Sequence, residues 1–375
     1  MTFRYTATAT DLPRGVGFMW DYRAFLPVAD GTHMVSLGEG GTPLLRARND
    51  WGCDVHWKNE AQNPTGSQKD RALSIALTEA RALDAKRVVI ASTGSAGLSC
   101  AAYSARAGIP CLILVPQGLP RERVAPMHAY GAVVAEVAGS FEAIEKIIAR
   151  LSGDWYQAST IRSVNPAQAE SGKTVAFEIV AALGHAPHWV IVPVGGGGTL
   201  YGIWRGFRCL VELGHINQMP RMVSVQVDAF DTVQRAVATG VTGKQFDLIA
   251  ADSTAVTAAI NLKHRIPPDL SSVLQALRDS DGLAVSVSER ETLDWQSRLG
   301  SEEGIFCEPS SAVVAAATAR LIERATIRRS DCVVAVITGS GMRDMGALVR
   351  ESLPRIAEDC DVADLTRLLR AKSAH

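Results

Sequence analysis

Long hydrophobic runs are missing from this 375-residue chain, and so is any excess of charge. The longest apolar stretches, such as 190–194, fall far short of the ~20 residues a membrane-spanning helix needs, and they read as buried strands. The first eighteen residues lack the apolar segment of a signal peptide, so the chain is expected to be cytoplasmic, with no membrane partner. Basic residues number 38 and acidic residues 39, for a net charge of -1. Such a balance gives no field to hold nucleic acid. The seven cysteines are odd in number and form no C-x-x-C pair, which argues against a zinc ribbon or a disulfide framework and for reduced thiols. The eight histidines show no H-x-x-x-H spacing. His185 and His188 are three apart, but Pro187 puts them in a loop, so no metal is expected. The dinucleotide spacing G-x-G-x-x-G and a Walker lysine are also absent, which makes a nucleotide the less expected ligand. No internal repeat or low-complexity linker interrupts the chain.

Apolar residues make up 47% and charged residues 21%, the balance of a globular enzyme, and the length suggests two domains. Short β-branched runs at 88–91, 111–115, 189–194, 222–227 and 332–338 read as strands. Amphipathic or alanine-rich stretches at 96–107, 141–151, 175–182 and 311–324 read as helices. This alternation indicates an α/β fold with parallel sheets covered by helices on both faces. Ligands in such folds collect where strands end and helices begin. The glycine-rich segments at 92–97, 195–199 and 339–341 fall there. The charged tail beyond Pro354 reads as a peripheral helix.

Four segments carry chemistry. In Asn63-Pro64-Thr65-Gly66-Ser67-Gln68-Lys69-Asp70-Arg71, a turn leads into a helix starting near Ser67, with Lys69 in its first turn. A cation is locally unfavourable there. A surface lysine is one reading; an amine with lowered proton affinity, able to form a Schiff base, is the other. Ser92-Thr93-Gly94-Ser95-Ala96-Gly97 joins a strand to a helix and offers backbone N–H groups to a carboxylate or phosphate. In Gly195-Gly196-Gly197-Gly198-Thr199 four glycines let the backbone wrap a phosphate, with a hydroxyl added, or simply form a tight turn. Thr338-Gly339-Ser340-Gly341-Met342-Arg343-Asp344 follows another strand, where a neutral hydroxyl could face a cofactor's ring nitrogen and bias the chemistry toward elimination and replacement at the β or γ carbon.

Together with Gly38-Glu39-Gly40-Gly41-Thr42-Pro43, Ser163-Val164-Asn165-Pro166 and Glu308-Pro309-Ser310-Ser311-Ala312, and in this order, these segments resemble the threonine synthase family of fold-type-II pyridoxal-phosphate enzymes. The resemblance runs from Trp20 to about Asp344. It implies two three-layer α/β/α domains with mostly parallel sheets: a small mobile one at 61–160 that holds the substrate carboxylate, a large cofactor-binding one formed by 1–60 and 161–355, and a tail at 356–375. It implies pyridoxal 5'-phosphate as cofactor, carried by Lys69 as a Schiff base, with Lys69 also moving protons. Gly195, Gly196, Gly197, Gly198 and Thr199 would bind the cofactor phosphate, Thr338 the pyridine nitrogen, and Ser95 the ring. Ser67, Ser92, Thr93, Gly94, Ala96, Arg162, Ser163 and Gln168 would meet an amino-acid substrate. A homodimer is the implied assembly.

The departures bear on the substrate. The family usually has asparagine at Ser95, in contact with the cofactor's ring hydroxyl, and arginine at Gln168, against the substrate's own phosphate. Glutamine hydrogen-bonds a phosphate without neutralising it. Arg162, nearby in sequence, is a candidate for the missing charge. The simplest expectation is O-phosphohomoserine plus water giving threonine plus phosphate. The alternative is a paralogue without phosphate recognition, acting as a serine/threonine dehydratase-type lyase or a β-replacement synthase. A degenerate relative that binds ligand and regulates a partner is a further class, which any amino-acid turnover would eliminate. Glu308 is expected as a helix N-terminal carboxylate or a group near the substrate, and Cys307 as a buried, inert thiol.

Overall fold

The computed structural model describes residues 7–8, 12–13, 15–28, 33–138, 141–252 and 254–343. The tail at 356–375 and the helix expected beyond Pro354 lie outside them. The strands are β1 (Leu44–Arg46), β2 (Asp54–Asn59), β3 (Arg87–Ala91), β4 (Cys111–Pro116), β5 (Val133–Val137), β6 (Trp155–Gln157), β7 (Trp189–Pro193), β8 (Arg221–Val227), β9 (Leu283–Val287) and β10 (Cys332–Ile337). The helices are α1 (Lys69–Ala82), α2 (Ser95–Ala107), α3 (Arg121–Ala129), α4 (Phe141–Ile148), α5 (Pro166–Ala169), α6 (Lys173–Leu183), α7 (Gly198–Glu212), α8 (Thr232–Thr239), α9 (Leu270–Asp279), α10 (Glu289–Glu303) and α11 (Pro309–Glu323).

Two sheets form, in the orders β1-β2-β10-β7-β8-β9 and β5-β4-β3-β6. Every pairing is parallel except β1 with β2 at the edge of the larger sheet. The continuous apolar runs explain the centre of that sheet: every residue of β7 and β10 is buried, which only a strand covered on both faces can sustain. Alternate side chains feed different cores. Val334 and Val336 join Val190 and Val192 against α6, α7 and α9, whereas Val333, Ala335 and Ile337 join Ile191 against α11. The smaller sheet is likewise two-faced, with Val88 and Ile90 packed toward α1 and α2, and Val89 and Leu114 toward Ile144 and Ile148 of α4. Both sheets thus have the three-layer α/β/α build.

Close helix approach sets the position of α7. A Cβ on Gly202 would lie 2.7 Å from the Ala169 carbonyl oxygen and 2.9 Å from Gly172 Cα. The two backbones therefore touch, which brings the N-terminus of α7 beside the chain that follows Gln168.

Candidate functional site

α1 begins at Lys69 itself. The turn before it is fastened to the end of β10: Gln68 N–H donates to Thr338 O at 3.0 Å and Ser340 N–H to Gly66 O at 2.9 Å. Inside the turn, Asp70 accepts from Thr65 N–H (2.7 Å), Thr65 Oγ1 (2.6 Å) and Ser99 Oγ (2.5 Å). A carboxylate in the first turn suits the helix dipole, and here it also tethers α1 to α2.

Beneath this turn lies a buried ionic floor. Arg71 donates to Glu60 Oε1 and Oε2 at 2.7 Å each and to Glu178 at 2.5 and 2.8 Å. Lys58 Nζ reaches Glu178 Oε2 at 2.6 Å, and Thr42 Oγ1 reaches Glu60 Oε1 at 2.5 Å. The four charged side chains are at most 1% exposed. Burial alone would raise the Glu60 pKa, but Arg71, Lys58 and the Thr42 hydroxyl together outweigh it and hold the carboxyl at about 2. Two cations against two anions leave the cluster neutral.

Lys69 lines a narrow cleft with Gln68, Thr160, Gln168, Gly198 and Thr199. Desolvation lowers its amine's pKa below the ordinary lysine value, opposed by the Asp269 and Glu308 carboxylates. A neutral, nucleophilic amine is what that environment favours. Glu308 occupies the N-cap position of α11, and a Cβ at Gly339 would come within 2.7 Å of its carboxyl carbon. Cys307 is fully buried, and burial pushes its thiol pKa up.

The glycine turn ends at the N-terminus of α7, with Gly197 as N-cap at φ 100, a left-handed conformation that favours glycine. A segment that sequence reasoning passed over lies against it. Asp269 N–H donates to Gly196 O at 3.0 Å, and its carboxylate would sit 3.3 Å from a Cβ at Gly198. His264 Cδ2 would lie 3.3 Å from a Cβ at Gly195, which would also collide with the Asn261 carbonyl oxygen. Asn261 Oδ1 would lie 3.0 Å from a Cβ at Gly94, so this residue spans the two glycine turns. Desolvation, then the Lys69 charge, pushes the His264 imidazole down to about 4. Desolvation raises the Asp269 pKa, opposed by Arg162 and Lys69. Asn261, His264 and Asp269 lie in no motif and far from Lys69 in sequence, so no local signal points to them.

The other expected site residues divide. Ser92 Oγ accepts from Gly94 N–H (3.3 Å) and Gly97 N–H (2.9 Å) and so shapes the turn at the start of α2, which Thr93, Ser95 and Ala96 complete. Ser67 is buried, and its Oγ accepts from Lys69 N–H at 3.3 Å. Thr338 Oγ1 lies 2.8 Å from Ser311 Oγ, which also accepts from the N–H groups of Thr338 and Gly339 at 3.1 and 2.9 Å. Gln168 is 4% exposed and lines the cleft, and its Nε2 has no hydrogen-bond partner among the described residues. Arg162 is engaged away from the cleft lining: Nη2 donates to Ser272 Oγ at 2.7 Å, Nε lies 3.7 Å from Asp269, and the guanidinium stacks 4.9 Å from the Tyr201 ring. Ser163 is exposed.

The family model for "pyridoxal-phosphate dependent enzyme" matches residues 35–339. The chain is 36% identical over 358 residues to threonine synthase from Methanocaldococcus jannaschii, covering 94% of this chain and 87% of that one. It is 35% identical over 355 residues to threonine synthase from Mycobacterium tuberculosis, covering 94% of each.

The chain belongs to the threonine synthase family of pyridoxal-phosphate-dependent enzymes.

Its fold is also that of maize serine racemase (TM-score 0.67, 19% identity, 89% of this chain and 93% of that one) and of serine racemase from Dictyostelium discoideum (TM-score 0.65, 22% identity, 80% and 92%). At such identities the likeness concerns the fold alone. The cofactor of the family suits what the cleft offers. A desolvated amine, the N-terminus of a 15-residue helix, a threonine hydroxyl and one unpartnered amide donor converge on it. An aldehyde bearing a phosphate uses each of these except the amide. Among the described residues no helix is long and apolar enough to cross a membrane.

Proposed function

We propose that this threonine synthase-like enzyme converts O-phosphohomoserine and water to threonine and phosphate. The observation that carries the cofactor half of this reading is that Lys69 and the start of α7, Gly198 and Thr199, line one cleft. The Lys69 amine would hold the cofactor's aldehyde covalently, while the 195–199 turn takes its phosphate and Thr338 its ring nitrogen. When bound, pyridoxal phosphate supplies an electron sink for substrate carbanions. A neutral hydroxyl at Thr338 leaves that nitrogen unprotonated, which limits the sink and favours chemistry at the β and γ carbons. The Lys69 amine would also take and return protons at the substrate carbons. The turn at 92–96 holds the substrate carboxylate. The four strands of the smaller sheet lie within 87–157, which supports assigning that carboxylate to a small domain at 61–160, with 1–60 and 161–355 holding the cofactor. A cytoplasmic homodimer completes the reading.

One observation favours a second substrate. The Gln168 amide, with no partner, is the donor offered where the family places an arginine. Arg162 donates to Ser272 Oγ and lies 3.7 Å from Asp269, and the nearby cations Lys173 and Arg205 face Glu170 at 2.7 and 3.6 Å. A cleft so supplied suits an amino acid with an uncharged β-substituent, as a dehydratase or β-replacement enzyme would use. Purified protein is expected to be yellow. The deciding assay supplies O-phosphohomoserine, serine, threonine and O-acetylserine in parallel. Phosphate release from the first sustains the threonine synthase reading; inertness there with turnover of another transfers the assignment to the second. Colourless protein that cannot be reconstituted with cofactor would sink both.

A further inference from the structure

The parallel pairing of β2 with β10 sets Cys332 opposite Asp54 and Val334 opposite His56. Side chains alternate along a strand, so Asp54, His56 and Cys332 project from the same face. A carboxylate oxygen, a ring nitrogen and a thiol sulfur then lie within 4.8 Å of one another. His56 Nε2 is 2.9 Å from Asp54 Oδ2, while Arg46 holds the other carboxylate oxygen, Oδ1, at 3.0 Å from the solvent side. Cys332 is 5% exposed, and the side chain of Asp54 is 41% exposed. The cluster therefore has a buried sulfur floor and an open mouth.

We propose that Asp54, His56 and Cys332 form a zinc-binding site, with water in the fourth position. Hard cations such as Ca²⁺ and Mg²⁺ take all-oxygen shells. One nitrogen, one sulfur and one oxygen donor suit a borderline-soft ion of flexible geometry, and Zn²⁺ is the common one. Zinc–ligand bonds of about 2.0–2.3 Å put tetrahedral donors about 3.3–3.8 Å apart. To match, the His56–Asp54 contact opens from 2.9 Å and the sulfur, within 4.8 Å of both other donors, completes the triangle, with Arg46 orienting the carboxylate from outside. Asp54 and His56 are two apart in one strand, and Cys332 comes from a strand nearly three hundred residues later, so linear spacing gives no sign of the site. It lies at the opposite end of β10 from Thr338, roughly 20 Å away at about 3.3 Å per residue. Its role is to fix the edge hairpin β1–β2 to the middle of the sheet, and it takes no part in the reaction.

The test titrates cofactor-loaded, chelator-treated full-length protein with Co²⁺ and reads ligand-field bands at wavelengths beyond the cofactor's absorption. The expected result is uptake of one equivalent in a four-coordinate spectrum, displaced by Zn²⁺, with Zn²⁺ also raising Tm. His56→Gln and Cys332→Ser should each weaken Co²⁺ binding by roughly 100-fold or more. Should the buried Cys332→Ser change prevent folding, Asp54→Asn at the exposed rim serves with His56→Gln. Absence of stoichiometric uptake overturns the proposal. So does uptake that His56→Gln leaves unchanged, which would mark surface binding elsewhere. Because the readout is the metal's own spectrum, a failure here is distinct from a failure of the catalytic reading.

Discussion

The ionic floor under α1 and the cleft at its tip are both desolvated, yet they resolve their charges in opposite ways. In the floor, Lys58, Glu60, Arg71 and Glu178 satisfy one another. In the cleft, the Lys69 amine is pushed toward neutrality, the His264 imidazole is already neutral, and the Gln168 amide keeps a donor without an acceptor. A buried charge is tolerated when the protein itself supplies its partners. Where it does not, the group changes protonation or waits for a ligand. Two residues of one helix, Lys69 and Arg71, stand on either side of this divide, so the floor anchors the helix that carries the Lys69 amine.

The comparison breaks most visibly at Lys69. Lys69→Ala should abolish the visible absorbance of the reconstituted protein and lower turnover by on the order of 10⁴-fold, measured under single-turnover conditions. Retained colour at the same wavelength would place the covalent amine elsewhere. On the floor side, Glu178→Gln removes one anion and leaves Arg71 and Lys58 under-compensated. Urea denaturation should show a loss of about 3–5 kcal/mol, because the remaining buried charges lose their partner. A change under about 1 kcal/mol would mean the floor is not a tightly coupled unit.

His264 sharpens the contrast through pH. Its folded-state pKa, about 4, lies below the ordinary value of 6.5. The folded protein therefore binds fewer protons than the unfolded chain in that window. The associated stability is present above pH 6.5 and is lost as pH falls toward 4. A shift of this size corresponds to about 3 kcal/mol. Stability of the cofactor-free protein, followed by denaturant midpoint between about pH 7 and pH 4, should fall less steeply in His264→Leu than in the wild type. Equal slopes would show that the imidazole is solvated. The smallest effect concerns Gln168. Replacing a neutral donor by a charged one, Gln168→Arg, should tighten spectrally measured binding of O-phosphohomoserine by about tenfold. Unchanged binding would show that the substrate phosphate lies elsewhere.

The strands at 88–91, 111–115, 189–194, 222–227 and 332–338 are readable because continuous β-branched runs have one cheap solution, a doubly covered parallel strand; the structure moves their ends by one residue. β2 alternates polar and apolar residues, a strand pattern, and what escapes local reading is the burial of its polar face. Its sequence, DVHWKN, is polar at alternate positions, yet Lys58 is buried because Glu178, 120 residues away, neutralises it. No local pattern announces a buried lysine whose partner is distant. α9, by contrast, sets Leu270, Val273, Leu274 and Leu277 on one face and α10 opens on the Ser288–Glu291 capping box, local signals that sequence reading can use.

Sequence alone determined the local turns: a lysine at the head of a helix and glycine-rich links at strand ends, because turn geometry and helix starts depend on neighbouring residues. Only the tertiary structure decided which charges are free to act. Asp269 and His264 beside the amine, Arg162 paired loosely with Asp269, and Asp54, His56 and Cys332 gathered on one sheet face all depend on contacts between distant segments. Electrostatic interaction falls with distance in space, not along the chain, and desolvation depends on everything packed around a group.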